Sequence, residues 1–373
     1  LGGKDGKGLA ACEQLAMVNL SENGLGDKGA MWVGSVLGEC KALSWLDISG
    51  NRIGQVGASA LAAMLAKCPL ESLYMGDNKL RGAGTVALCA ALPSLPKLRV
   101  LCLSSNSLGS DRAHGQVDML AQCLRGCELL EHLNLSNNGI GDEGGQLLAG
   151  GIAHCSALSF LALGNNSVGD ASAAALVDAM KDKKQLTHLD LEANAITDRG
   201  VKTLANMIAS RVGGRALKSL SLEDNKFGDD GATSLASALP ECPELEELYL
   251  SGNTIGDSGV AVLAKALMQR GKKLEECSLE ENAIGDEGFR CLLGVVQAGK
   301  VRRLLVNGNQ IGSGGVDALL AMLHSSVESP MADVIIDVSA NPIDAEGCVS
   351  LIPALANCQS PPILRLARRY VAV

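Results

Sequence analysis

The chain has 373 residues, a formal net charge of −9 and only 2% aromatic residues against 44 glycines. The acidic balance excludes nucleic acid as the main partner and favours basic protein surfaces. The scarcity of aromatic rings excludes an ordinary globular core and suits repetitive packing of small and branched side chains.

In chain order, Leu9–Cys12 reads as the tail of a helix, so residues 1–14 are expected to form a partial repeat. No signal peptide opens the chain and no apolar run is long enough to cross a membrane. No membrane partner is expected. Without an initiator Met, the natural N-terminus is expected to lie upstream.

From residue 15 to 358 one frame recurs, and internal periodicity outranks other signals. It stands clearly in Leu133-Asn134-Leu135-Ser136-Asn137-Asn138-Gly139-Ile140-Gly141-Asp142-Glu143-Gly144. It returns in Leu248-Tyr249-Leu250-Ser251-Gly252-Asn253-Thr254-Ile255-Gly256-Asp257-Ser258-Gly259. The marker asparagines are Asn23, Asn51, Asn78, Asn106, Asn138, Asn166, Asn194, Asn225, Asn253, Asn282, Asn309 and Asn341, spaced 27 to 32 residues apart. They predict about twelve repeats in a single domain spanning 1–373.

Each position in the frame has a physical reason. The Leu-x-Leu pair has the period of a short half-buried strand. The Asn amide carries donors and an acceptor, so stacked asparagines can satisfy turn backbone as a ladder. Two residues later an apolar side chain, such as Leu25, Ile53, Val168, Phe227 or Ile343, is expected under the turn. Asp27, Asp142, Asp170, Asp198, Asp229, Asp257 and Asp286 then stand at a helix start, where a carboxylate caps free N–H groups. Gly29, Gly144, Gly231 and Gly288 are expected to allow close packing against the next unit. Leu148, Leu176, Leu204, Leu235, Leu263, Leu292, Leu319 and Leu351 are the expected helix core.

Insertions are expected in the stretches 110–116, 211–215 and 325–331. Residues 359–373 read as a degenerate C-terminal cap, with Ile363–Val373 covering the last strand. Adjacent strands need about 4.8 Å and packed helices about 8–10 Å. The fold class is therefore α/β, a horseshoe solenoid with a parallel sheet on its concave face and helices on its convex face. Such a concave surface is the usual binding face of repeat arrays.

The frame resembles the ribonuclease-inhibitor-like class of leucine-rich repeats. That class shares its fold with cytosolic ribonuclease inhibitors, Ran GTPase-activating proteins and the repeat regions of NOD-like receptors. The resemblance implies a protein-interaction module. It leaves two alternatives: a GTPase activator acting on a small GTPase, or the ligand-sensing region of a larger receptor. There is no GxxxxGK[ST] phosphate loop and no long acidic tail, and no catalytic residue is carried over.

The strand positions facing away from the helices give the candidate partner-binding residues. They are Trp45, Asp47, Tyr74, Asp77, His132, Phe160, His188, Asp190, Glu192, Glu223, Asp224, Glu247, Tyr249, Glu276, Glu280 and Glu281. Glu22 and Asp337 also fall there, and Arg303 is the basic residue among them. Acids concentrate from Asp190 to Glu281, which predicts a basic protein partner. Trp45 is the sharpest single anchor candidate.

No enzyme is expected. His132 and His188 are read as too far apart to couple, and acids on a flat sheet lack the enclosure that retunes carboxylates. No nucleophile motif, metal site or cofactor is expected. The thirteen cysteines show no zinc-type pairing. Cys12, Cys40, Cys127, Cys155 and Cys242 recur at one position and read as small buried hydrophobes, and many free thiols fit the cytosol or nucleus. The sequons at Asn19, Asn134 and Asn165 lie in or beside strands, so glycosylation is not expected.

Overall fold

The computed structural model describes residues 14–109, 115–210, 215–325, 333–358 and 361–366. Cys12, the Leu9–Cys12 segment, most of each expected insertion and the end of the expected cap lie outside these residues.

The chain packs as two compact units, residues 1–188 and 189–373. The first holds strands β1 (Met17–Asn19), β2 (Trp45–Asp47), β3 (Ser72–Tyr74), β4 (Val100–Cys102), β5 (His132–Asn134) and β6 (Phe160–Ala162). Its helices are α1 (Gly26–Leu37), α2 (Gln55–Leu65), α3 (Arg81–Ala91), α4 (Gly115–Leu124), α5 (Gly141–Ile152) and α6 (Asp170–Met180). Strand β7 (His188–Asp190) falls at the division. The second unit holds β8 (Ser219–Ser221), β9 (Glu247–Tyr249), β10 (Leu274–Ser278), β11 (Val301–Leu305), β12 (Ile335–Asp337) and β13 (Ile363–Arg365). Its helices are α7 (Asp198–Ala209), α8 (Asp229–Ala238), α9 (Asp257–Gln269), α10 (Asp286–Gln297), α11 (Ser313–Ser325) and α12 (Ala345–Asn357).

Within each unit consecutive strands pair in parallel and in fixed register. Trp45 pairs with Ser72 and Leu46 with Leu73; Ser219 pairs with Glu247 and Leu220 with Leu248. The thirteen strands alternating with twelve helices among the described residues make the α/β repeat solenoid that the periodicity predicts. The expected degenerate last strand forms as β13, which pairs Arg365 with Asp337.

Alternation sets the layers. In most three-residue strands the middle side chain is buried and its neighbours are half-buried. Leu46, Leu133 and Leu248 are 0% exposed, and the helix residues Leu148, Leu204 and Leu263 are at most 1% exposed. Each such leucine contributes about 1.5–3 kcal/mol of burial. The apolar residue under the turn is fully buried at Ile53 and Phe227 and half-buried at Leu25 and Ile343, which follow the first and last marker asparagines.

The asparagine ladder is present. Asn51 Nδ2 donates to the carbonyls of Ile48 and Ser49 in its own turn and to Leu20 in the preceding one. Its Oδ1 accepts from the Asn23 and Leu25 N–H groups. Asn282 repeats the pattern on Leu250, Leu279 and Glu280, accepting from Ile255 N–H. Each amide therefore joins two repeats and leaves little turn backbone unpaired.

Six of the helix-start aspartates cap the helix that follows their own. Asp27, in the first turn of α1, accepts from the Gly54 and Gly57 N–H groups at the start of α2. Asp198 does the same for α8, Asp229 for α9, Asp257 for α10 and Asp286 for α11. The expected capping of free N–H groups is thus present, and the groups capped belong to the following helix. In the repeat before α12, Ser313 stands where the Asp would be, and Asp344 caps α12 from its own N-cap position. The glycine role shifts likewise: a Cβ on Gly231 or Gly288 would meet the capping Asp of the preceding unit at 2.8 or 2.5 Å, and Gly29 would meet only Leu25 of its own repeat.

Candidate functional site: the open face of the strands

The face not covered by helices carries two different chemistries. In the first unit the leading strand positions hold aromatic rings. Trp45 is half-buried against Tyr74 on the next strand, with ring centroids 5.5 Å apart and planes at 47°. Phe160 sits between two imidazoles, stacked on His132 at 3.9 Å and tilted to His188 at 5.6 Å. Rings at these spacings attract beyond their buried area. Burial first, and then the charge of His188, lower the His132 pKa from its ordinary value. Phe160 separates the two imidazoles, which make no direct contact, as the sequence spacing predicts.

The second unit carries carboxylates. Glu247 and Glu276 stand side by side in register, and Arg303 pairs with Glu276 at 2.8 Å. Glu276 remains raised because burial outweighs Arg303 and because Glu247 and Glu280 repel it. Glu223 is raised by burial, despite hydrogen bonds from Ser278 and Ser251. Asp190 is raised by burial, and Glu192 by burial and then by Asp190, Glu223 and Asp224. Tyr249 lies among these acids, and burial with Glu247 and Glu276 pushes its hydroxyl up to about 12.

A cleft of about 290 Å³ runs along the turn ends of β8 to β12, lined by Glu223, Asp224, Ser251, Glu280, Glu281, Asn307 and Ser339 among others. Burial does shift Asp190, Glu192, Glu223 and Glu276 on this open face, contrary to the sequence expectation. Ser278 hydroxyl reaches both Glu223 (3.1 Å) and Glu280 (3.5 Å), so it holds the two acids near each other. Asn307 Oδ1 is buried in this wall with no hydrogen-bond partner. The cleft is rich in acceptors and poor in donors.

Two groups of the expected residues need finer placement. Asp77, Asp224 and Glu281, like Glu22, are not strand residues: each precedes a marker asparagine in the turn at a φ of +49 to +59°. Gly50, Gly252 and Gly308 hold that same position, so the acids occupy a conformation that favours glycine. Asp47, Asp190 and Asp337 each accept the N–H two residues on, a turn-forming bond that also serves Asn19 and Asn134. Asp337 also has a cation at 3.7 Å, Arg365, which the sequence reading left out of the face. Ser221, Ser278 and Asn307 were missed as well, because only charged and aromatic residues were counted.

Among the described residues, no group of three or more His, Cys, Asp or Glu could hold a metal ion. The described cysteines are all free. Burial pushes Cys127 up to about 11 and Cys155 and Cys242 up to about 12, as inert core thiols require. No helix among the described residues is long and apolar enough to cross a membrane.

The family model described as Leucine Rich repeat matches residues 18–31, 43–62, 126–149, 184–205, 215–236 and 241–264. Among solved structures, an internalin from Listeria monocytogenes is similar, at 21% identity and a TM-score of 0.51, over 89% of this chain and 83% of that one. At that identity the likeness speaks for the fold alone. No curated protein sequence matches the chain.

Proposed function

Proceeding from a chain of leucine-rich repeats, a fold commonly used for protein–protein interaction, we propose that this protein binds a basic protein on the open strand face of its second unit. The observation that carries the reading is the crowding there of Asp190, Glu192, Glu223, Asp224, Glu247, Glu280 and Glu281, with no cation paired to them among the described residues. Like charges held together and partly desolvated are costly, and a cationic surface relieves that cost. The first unit by itself offers apolar anchors on its strand face, Trp45 foremost.

The protein has no reaction of its own in this reading and needs no cofactor. The repeat length and the helix in each unit support the ribonuclease-inhibitor-like subclass, and the abundance of free thiols supports a cytosolic or nuclear setting.

The test uses a fluorescent peptide of mixed Arg and Lys. Its affinity should fall about tenfold between about 0.05 M and about 0.2 M salt. Asp190, Glu223 and Glu276 changed together to Lys should abolish it. Binding that survives both changes rejects electrostatic docking.

A further inference from the structure

Strand β8 presents two serines, Ser219 and Ser221, where its neighbours present longer side chains. Register sets Ser219 beside Glu247 and Ser221 beside Tyr249. On the other side, Leu191 N–H donates to the Ser221 carbonyl at 3.0 Å, the same bond that Leu222 N–H makes to Tyr249 at 2.9 Å. That correspondence puts Asp190 beside Ser221. Glu223 follows two residues on and shares the face by strand alternation. The result is a notch one strand wide. Its floor is serine, one wall is Asp190, the other is Tyr249 with Glu247, and Glu223 closes the turn end.

Ser221 is only 9% exposed and its Oγ has no hydrogen-bond partner. The neighbouring hydroxyls are satisfied: Ser278 donates to Glu223, and Ser251 accepts from Glu280 N–H at 3.1 Å. The orphan hydroxyl is thus particular to the notch. A buried polar group without a partner is expensive to leave so. Register places Asp190 and Tyr249 on the strands either side of it, yet neither reaches the hydroxyl with a hydrogen bond.

We propose that this notch receives the guanidinium of an arginine on the basic partner, an inference that rests on the docking reading and sharpens it. A guanidinium is planar, so it can lie on the Tyr249 ring while its fork reaches Asp190, Glu223 and the Ser221 hydroxyl. Its five donors match those acceptors. A lysine ammonium is a point charge with three donors and cannot stack. The cation reaches Ser221 Oγ by parting the side chains that cover it.

The experiment compares fluorescent nona-arginine and nona-lysine on the full chain by anisotropy at low salt. Nona-arginine should bind about tenfold tighter. Ser221→Ala should weaken nona-arginine about fivefold and leave nona-lysine unchanged. Its thermal stability should hold or rise, because an unsatisfied hydroxyl is removed, which separates lost recognition from lost folding. Tyr249→Leu should narrow the preference in the same way, whereas Glu280→Gln with Glu281→Gln should weaken both peptides alike. Equal affinities in the unaltered chain, or variants at Ser221 and Tyr249 that weaken both peptides equally, overturn the notch and leave general acidic docking standing. If neither peptide binds at low salt, the notch and the docking reading both fail.

Discussion

The strand column that holds Trp45, His132, Phe160 and His188 in the first unit holds Ser219, Glu247, Glu276 and Arg303 in the second. The same frame, the same ladder of asparagines and the same helix-to-helix aspartate caps lie beneath both. The contrast in charge and aromaticity lies at strand positions flanking the buried middle leucine. Folding constrains the middle leucine of each strand, and the two flanking side chains are free to take any chemistry that a bound surface rewards. One unit has used that freedom for rings that attract one another, the other for charges that repel one another.

If the units differ only on their faces, removing the shared ladder should harm both alike. Asn138→Ala and Asn282→Ala each strip donors from three buried or part-buried carbonyls. Each should cost about 3 kcal/mol or more in urea unfolding. A large cost in one unit and none in the other would break the premise of a common scaffold.

A smaller effect should separate the units by pH. His132 has a lowered pKa when folded, so the unfolded chain binds more protons between that lowered value and about 6.5. Its contribution to stability is therefore lost as pH drops through that window. Glu223 has a raised pKa when folded, so the native chain binds more protons just above the ordinary carboxylate range. Its partly buried charge, with the repulsion of Glu280 and Asp224, costs stability at neutral pH and is relieved as pH falls. Melting temperatures from about pH 7 to about pH 4.5 should show His132→Gln gaining on the unaltered chain as acid is added, and Glu223→Gln losing its advantage.

The smallest expected effect concerns the turns of the acidic unit. Glu281 sits at φ +51° where Gly252 and Gly308 stand in neighbouring repeats. Glu281→Gly should raise stability by about 1 kcal/mol while weakening binding of a basic peptide. A loss of stability would show that the acid is there for the fold rather than the face.

The architecture was legible because a strand–turn–helix unit repeated many times leaves a period that no single motif could imitate. The outward strand positions were legible for the same reason: Trp45, Phe160, Glu247 and Glu276 follow from alternation alone. The turn was read less well. Asp77, Asp224 and Glu281 looked like extensions of the strand, although glycine at Gly50, Gly252 and Gly308 marked that position as left-handed. The direction of capping was hidden entirely, since Asp257 is the first residue of its own helix and only packing brings Gly285 and Gly288 to it. The orphan Ser221 hydroxyl was equally hidden, because serine in a strand looks neutral until its neighbours are known.

The central claim is that a cationic partner seats on the acidic strand face of the second unit. Carboxyl footprinting, by carbodiimide labelling with and without a basic peptide, reads that face directly. The account predicts that Glu223, Glu247 and Glu280 lose label on binding while Glu143 and Glu287, on helices α5 and α10, do not. Unchanged labelling on the strand face, or protection at the helix acids instead, would contradict it.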